Sequence, residues 1–267
     1  MSIITISRGS YSKGKEVAEK VARKLGYECI ARDAIIDASK EFNIPEIKLI
    51  RAIHDAPSIL ERFDYSKEKY LAYLHVSMLE HFLKDNIVYH GLAGHFFVKN
   101  ISHLLKARII ADMEDRVKLE MEREGISKRE ALRILTNDDK ERRKWCKYIY
   151  GIDKWDPSLY DLVIHIKKIT VDDAADIICH AVKLEQFRAT PESQKALESM
   201  LLTARVKVAL IDLKPDAEVF ATNGTIVIKA KTSQFEDEQL IHKIEEIAKS
   251  VPGVINIRVD LVSYTYG

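Results

Sequence analysis

Residues 4–26, ITISRGSYSKGKEVAEKVARKLG, constrain the fold more than any other stretch of the chain. An apolar, β-branched run enters a turn containing Gly9 and Gly14, and the turn passes directly into an amphipathic helix. Val17, Val21 and Leu25 recur every fourth residue beside Ala18 and Ala22, with Lys20, Arg23 and Lys24 elsewhere on the wheel, and Gly26 stops the helix as a C′ residue does. A strand fit for burial on both faces, followed at once by a helix, is the first βα of a parallel sheet. Gly9, Gly14 and Lys15 also stand at the GxxxxGK spacing, which wraps backbone N–H groups around a phosphate at a helix N-terminus. The Ser or Thr that would follow to hold magnesium is here Glu16.

The rest of the first two thirds continues the pattern. Residues 33–86 read as mostly helical with breaks at Pro45 and Pro57, NIVYHGLAG as a strand and glycine turn, and ARIIAD (107–112) as a third strand. A charged helical block follows over 113–150. YDLVIHI is a fourth strand, and Thr170 with the acidic residues after it opens another helix. Strands separated by helices favour parallel pairing through crossovers. The polar segment 188–200, with Pro191, is the expected boundary. Beyond it Asn223-Gly224 sits between two β-rich runs as a type I′ hairpin turn. EDEQLIHKIEEIAKSV reads as a helix, and PGVINIRVDLV as a closing strand with Ile255, Ile257 and Val259 alternating. The expectation is α/β, a P-loop parallel sheet with a helical lid over residues 1–190, then a small α+β domain over 200–267.

With 46% hydrophobic and 31% charged residues the chain can build a core, and 42 basic against 41 acidic side chains give no overall charge that would draw nucleic acid or an anionic membrane. Cys29, Cys146 and Cys179 are odd in number and unpaired in spacing, which argues against a disulfide framework or a zinc site and fits a reducing cytoplasm. No apolar run has the length of a membrane span, and Met1 is expected to begin the fold without a leader. His90 and His95 flank the GLAG turn, five residues apart and without a Cys or carboxylate cluster, so no metal site is assigned to them.

The run ISRGSYSKGKEVAEKVARKLG resembles the opening of the cytidylate kinase-like family, P-loop relatives of the nucleoside monophosphate kinases. Further landmarks are EDRVK around Arg116, GISKREAL, DKERRKWCKYIYG with Asp139, Lys140 and Arg142, and DPSLYDLVI. The resemblance implies phosphoryl transfer from ATP, with Mg²⁺, to a nucleoside monophosphate such as CMP or dCMP, and makes Glu16 a family trait. It implies ATP binding by Gly9, Ser12, Lys13, Gly14, Lys15 and Glu16. Lys15, Arg142, Arg143 and Arg133 are the implied catalytic residues, with Arg129 sharing a helix face with Arg133. Arg32, His90 and Gly91 are the candidate acceptor contacts.

The sequence departs from the family pattern in three places, at four residues. Tyr11 and Lys13 replace glycines of the turn; Leu92 replaces the arginine of a Gly-Arg-Gly-Ala motif; Ala31 replaces an Asp. They leave a second reading open, a nucleotide-binding sensor that has lost acceptor chemistry. Residues 200–267 resemble a BON domain, an αββαβ module, on NGTIVIKAK, the helix after it and VPGVINIRVDLV. Such a module implies a ligand or protein partner and a regulatory part, with a homo-oligomer as one outcome.

Overall fold

A computed structural model describes residues 2–10, 12–31, 33–43, 66–91, 98, 100–232 and 238–263. The first strand, β1 (Ile3–Arg8), is buried almost throughout and lies at the centre of a five-stranded sheet. The other strands are β2 (Glu28–Ile30), β3 (Ile87–His90), β4 (Leu104–Ala111) and β5 (Leu162–Ile166), in the order β2-β3-β1-β4-β5 and parallel throughout. β1 has β3 on one side and β4 on the other, so the turn after it opens where the strand order reverses, the usual ligand crevice of such sheets.

Alternation along the strands divides the core into two layers. Ile4, Ile6, Val88, Ile109 and Ile164 face α1 (Gly14–Leu25) and α6 (Val171–Ala181). Ile3, Ile87 and Leu104 face the opposite layer, made by α3 (Ser66–Leu83) and α7 (Pro191–Leu210). A short α2 (Asp33–Glu41) packs on α3. Between β4 and β5 the charged block forms a pair of helices, α4 (Met113–Glu124) and α5 (Lys128–Tyr150). They are parted by Gly125 in the left-handed region (φ 65°), and Ser127 caps α5. The Thr170 side chain caps α6 in a reciprocal capping box with Asp173, as its sequence predicts.

The second sheet has the order β6-β7-β8, from β6 (Glu218–Thr222), β7 (Thr225–Thr232) and β8 (Asn256–Ser263). The β6–β7 pair is antiparallel and the β7–β8 pair parallel. Asn223 and Gly224 both have positive φ (48° and 79°), as the hairpin turn requires. α8 (Glu238–Lys249) and α7 cover one face.

Three expectations change. The strand Glu28–Ile30 is three residues long, too short to leave an alternating pattern, and makes the first sheet five-stranded. Ile255 is 74% exposed and precedes β8; its N–H donates to Gly224 O (2.8 Å), so the chain joins the hairpin there before alternation begins. The segment expected as a polar boundary is helix from Pro191 onward. Thr190 and Ser193 form a capping box and proline occupies the first turn, where its missing N–H costs nothing.

That helix is shared by both sheets. Leu197, Leu201 and Ala204 pack into the first core, while Leu202, Val206 and Leu210 pack into the second, roughly 170° round the helix at 3.6 residues per turn. Arg205 and Glu80 (2.5 Å) and Lys69 and Asp212 (2.5 Å) link α3 to α7 and to the turn that follows it. Leu197 is fully buried in the first core, so Leu197→Ala should cost about 2–5 kcal/mol. Hydrogen exchange should speed up at β1 amides far away in sequence; unchanged protection of β1 would show that α7 does not support the first sheet.

Candidate functional site

The turn after β1 is held by side chains that occupy its carbonyl groups. Ser12 Oγ donates to Gly9 O (3.1 Å), and Arg116 Nε donates to Ser10 O (2.7 Å). Ser10 Oγ donates to Asp138 Oδ2 of α5 (3.2 Å). Arg116 is nearly buried, and its fork closes on Asp139 (2.7 and 3.1 Å), so α4, α5 and the turn meet at one guanidinium. Gly9 lies against that guanidinium, with room for a Cβ at 3.5 Å. Gly14 is tighter, since a Cβ there would lie 2.6 Å from Arg8 Cβ.

Lys13 is the N-cap of α1 and sits in the left-handed region (φ 60°). The chain adopts this conformation without glycine, at a strain on the order of 1 kcal/mol. The cap makes no side-chain hydrogen bond, so first-turn N–H groups of α1 are left to a ligand.

These residues line a cleft of ≈ 660 Å³, walled by Arg8, Ser10, Lys13, Gly14, Lys15, Glu16, Glu122, Arg123, Asp138 and Arg142 among others. Five cations face three carboxylates there. The lining and the uncapped helix end suit a polyphosphate. Among the described residues, no group of three His, Cys, Asp or Glu side chains could hold a metal alone. Glu16 and Asp138 are the carboxylates beside the helix end, a donor set that suits a hydrated Mg²⁺ carried by a nucleotide's phosphates.

The structure brings together Lys15, Lys13, Gly14, Glu16 and Arg142, with Gly9 and Ser12 in the turn behind them. Lys15 is largely exposed and only loosely paired with Glu19 (3.6 Å), free to turn toward a ligand. Arg143 and Arg133 are placed elsewhere. Arg143 forks onto Asp153 (Nε 3.0 Å) and stacks over Trp155 (4.5 Å), and the Asp153 hydrogen bond holds its pKa above the ordinary value. Arg133 is tied to Glu130 one turn back (2.6 Å). Arg129 is exposed on the same helix. His90 is buried at the end of β3, paired in register with Ile6, and Gly91 packs under the Tyr89 hydroxyl. Arg32, Tyr11, Leu92 and His95 lie outside the described residues.

Sequence reasoning missed Arg8, Arg123 and Asp138 and used Arg116 only as a landmark. The signal available for Arg8 was its place immediately before Gly9; Arg116 and Asp138 meet the turn across 106 and 128 residues, which no local pattern shows.

Behind the cleft lies a second cationic centre. Lys154 is almost fully buried, and burial pushes its pKa down to about 8, against the attraction of Cys146 and Asp139. Its carbonyl accepts from Arg108 (2.5 Å) and the Tyr160 hydroxyl (2.9 Å). The Cys146 thiol is itself pushed up to about 11 by burial.

Residues 3–168 match the cytidylate kinase-like family. A cytidylate kinase of Sulfolobus acidocaldarius is 29% identical over 188 residues, which is 70% of this chain and 97% of the relative. One from Archaeoglobus fulgidus is 29% identical over 192 residues, 69% of this chain and 97% of the relative. Among solved structures, an uncharacterized protein from Eubacterium ventriosum superposes with a TM-score of 0.52 at 23% identity, over 68% of this chain and 98% of its own, a likeness of fold.

Two outcomes are expected of these contacts. Arg116→Ala takes the guanidinium from both Asp139 oxygens and frees the turn, and should cost about 3–5 kcal/mol by chemical denaturation. Lys154 is protonated in both the folded and the unfolded chain below pH 8, so the fold there bears the full cost of a buried ammonium. That cost fades as pH rises from about 8 toward the 10.5 of a solvated lysine. Lys154→Met should therefore be the more stable protein at pH 7, by on the order of 2 kcal/mol, with the advantage shrinking at pH 10. An advantage independent of pH would show that the ammonium is not its source.

Proposed function

The chain belongs to the cytidylate kinase-like family, and from that premise we propose that it is an ATP-dependent nucleotide kinase whose acceptor is a nucleoside monophosphate of the CMP or dCMP type. The observation that carries this reading is the uncapped N-terminus of α1 opening into a cleft lined by Lys13, Lys15, Arg8, Arg123 and Arg142. Phosphoryl transfer asks a protein mainly to position two phosphates and to neutralise charge spread over the group in transit. First-turn amides of α1 would hold the donor's phosphates, Lys15 would turn from Glu19 onto the β and γ oxygens, and Arg142 would approach from α5. Mg²⁺, carried by the nucleotide beside Glu16 and Asp138, supplies further neutralisation of the phosphate oxygens. Arg143 and Arg133, held by Asp153 and Glu130, shape the lid and reach the phosphates only if those pairs open.

The same reading divides the chain into a kinase unit over residues 1–190 and a BON-like module over 200–267, supported by the αββαβ order of α7, β6, β7, α8 and β8. α7 is the seam between them. Because its Leu197 face belongs to the first core, a cut near residue 195 would damage the kinase unit itself, and a test of the module is better made by substitutions on the second sheet. The shared helix also favours a second reading, a sensor whose nucleotide state reaches the module through α7. No helix among the described residues is long and apolar enough to cross a membrane.

A coupled assay over CMP, dCMP, UMP and AMP with ATP and magnesium tests the proposal. Turnover on a pyrimidine monophosphate is expected, falling by about a hundredfold or more in Lys15→Ala. ATP binding with no turnover on any of the four would overturn the kinase reading in favour of the sensor.

A further inference from the structure

Arg8 ends β1, and the turn begins at the next residue. Its aliphatic stem runs against the start of α1, where a Cβ on Gly14 would lie 2.6 Å from Arg8 Cβ and 2.9 Å from Cδ. Gly14 therefore serves two purposes, starting the helix and leaving space for this side chain. The stem leads the guanidinium into the cleft wall beside Arg142.

Two features set this arginine apart from the others nearby. Its Nε is buried and has no hydrogen-bond partner among the described residues. No ion pair among the described residues reaches Arg8 either, although Arg116, Arg133 and Arg143 each have a carboxylate. Burial and, after it, the charge of Arg142 hold the Arg8 pKa below its ordinary value, against a smaller opposing influence of Tyr89 from β3. A desolvated cation with an unused donor, set beside a second cation, is unfavourable in the empty protein. The same arrangement becomes favourable once an anion with several acceptor oxygens lies between the two forks. Of the carboxylates at the turn, Asp139 is closed on Arg116 and Asp138 accepts from Ser10.

We propose that Arg8 and Arg142 form a two-guanidinium clamp on the phosphate oxygens of the bound nucleotide, one fork supplied rigidly by the sheet and the other by the lid helix. This rests on the nucleotide-kinase reading for the identity of the ligand, but the clamp itself is a site for phosphate esters and polyphosphates. Its rigid half is fixed by Gly14 and the end of β1. Its other half rides on α5, so a phosphate held by both draws the lid onto the turn.

Arg8→Met keeps the stem against Gly14 and removes the fork. Calorimetry with inorganic pyrophosphate and with ATP, together with thermal unfolding in the absence of ligand, tests the clamp. The expected result is unfolding at the wild-type temperature or above it, with affinity for both probes lowered at least tenfold, and losses in Arg8→Met and Arg142→Met that fail to multiply in the double variant. Wild-type affinity for pyrophosphate in Arg8→Met, with a lower unfolding temperature, would make Arg8 a packing residue and overturn the clamp. Arg8→Lys decides the case in which the Met variant unfolds early. Normal stability with affinity down severalfold supports the fork, and wild-type affinity overturns it. If Lys15→Ala loses ATP while Arg8→Met keeps it, the clamp falls and the kinase reading stands. If pyrophosphate binding depends on Arg8 but the wild type phosphorylates no nucleoside monophosphate, the clamp stands and the kinase reading falls.

Discussion

A loop that offers its N–H groups to an anion has to send its carbonyl oxygens somewhere else, and here Arg116 and Ser12 take two in succession. Ser12 binds the oxygen of Gly9, and Arg116 binds that of Ser10. Either oxygen turned into the cleft would set a negative dipole against the phosphate the cleft is built to hold. Arg116 could not be placed there alone, since a guanidinium so nearly buried needs most of its donors used. Asp139 satisfies the fork, and because Asp139 is on α5 the helix pair between β4 and β5 is fastened to the turn by the same contact. The shape of the cleft, the lie of the lid and the presentation of α1 thus depend on one buried cation.

The parts of this arrangement that were legible in the sequence are the local ones. β1, the turn and α1 are contiguous, so periodicity and glycine spacing were enough to place them, and the Asn223-Gly224 hairpin and the Thr170 cap were readable for the same reason. What failed were features that depend on distant partners. β2 is strand because β3 lies beside it, its three residues pairing with Ile87, Val88 and Tyr89. α7 begins with PESQK, polar enough to resemble a linker, yet its later turns carry apolar residues for two cores and the cap fixes its start.

The lid arginines show the limit most clearly. Arg142 and Arg143 are adjacent in the run KERRK, and only the family resemblance, through Asp139, Lys140 and Arg142, sets the first apart. One helical step of 100° sets Arg142 on the cleft and Arg143 against Asp153 and Trp155. Composition could say that cations were available; only the orientation of α5 decides which of them meets the phosphate. Arg8 was hidden differently, as the last residue of a strand whose other members are all buried.

Three unfavourable features gather around this cleft. Lys13 is held at positive φ, Arg8 keeps an unused donor beside Arg142, and Lys154 is a buried ammonium a short way behind. Each taken singly is an ordinary local cost, but a sequence selected for stability alone would place glycine at 13 and apolar residues at 8 and 154. The core is large enough to tolerate them: Ile3, Ile4, Ile6, Val17, Val88 and Leu105 are fully or almost fully buried around the same strand. The three share a sign, each bringing positive charge toward the end of β1, where the helix dipole of α1 adds more. A polyanion would offset much of this at once, so the bound protein should differ from the empty one less in its core than in how firmly α5 is held against the turn.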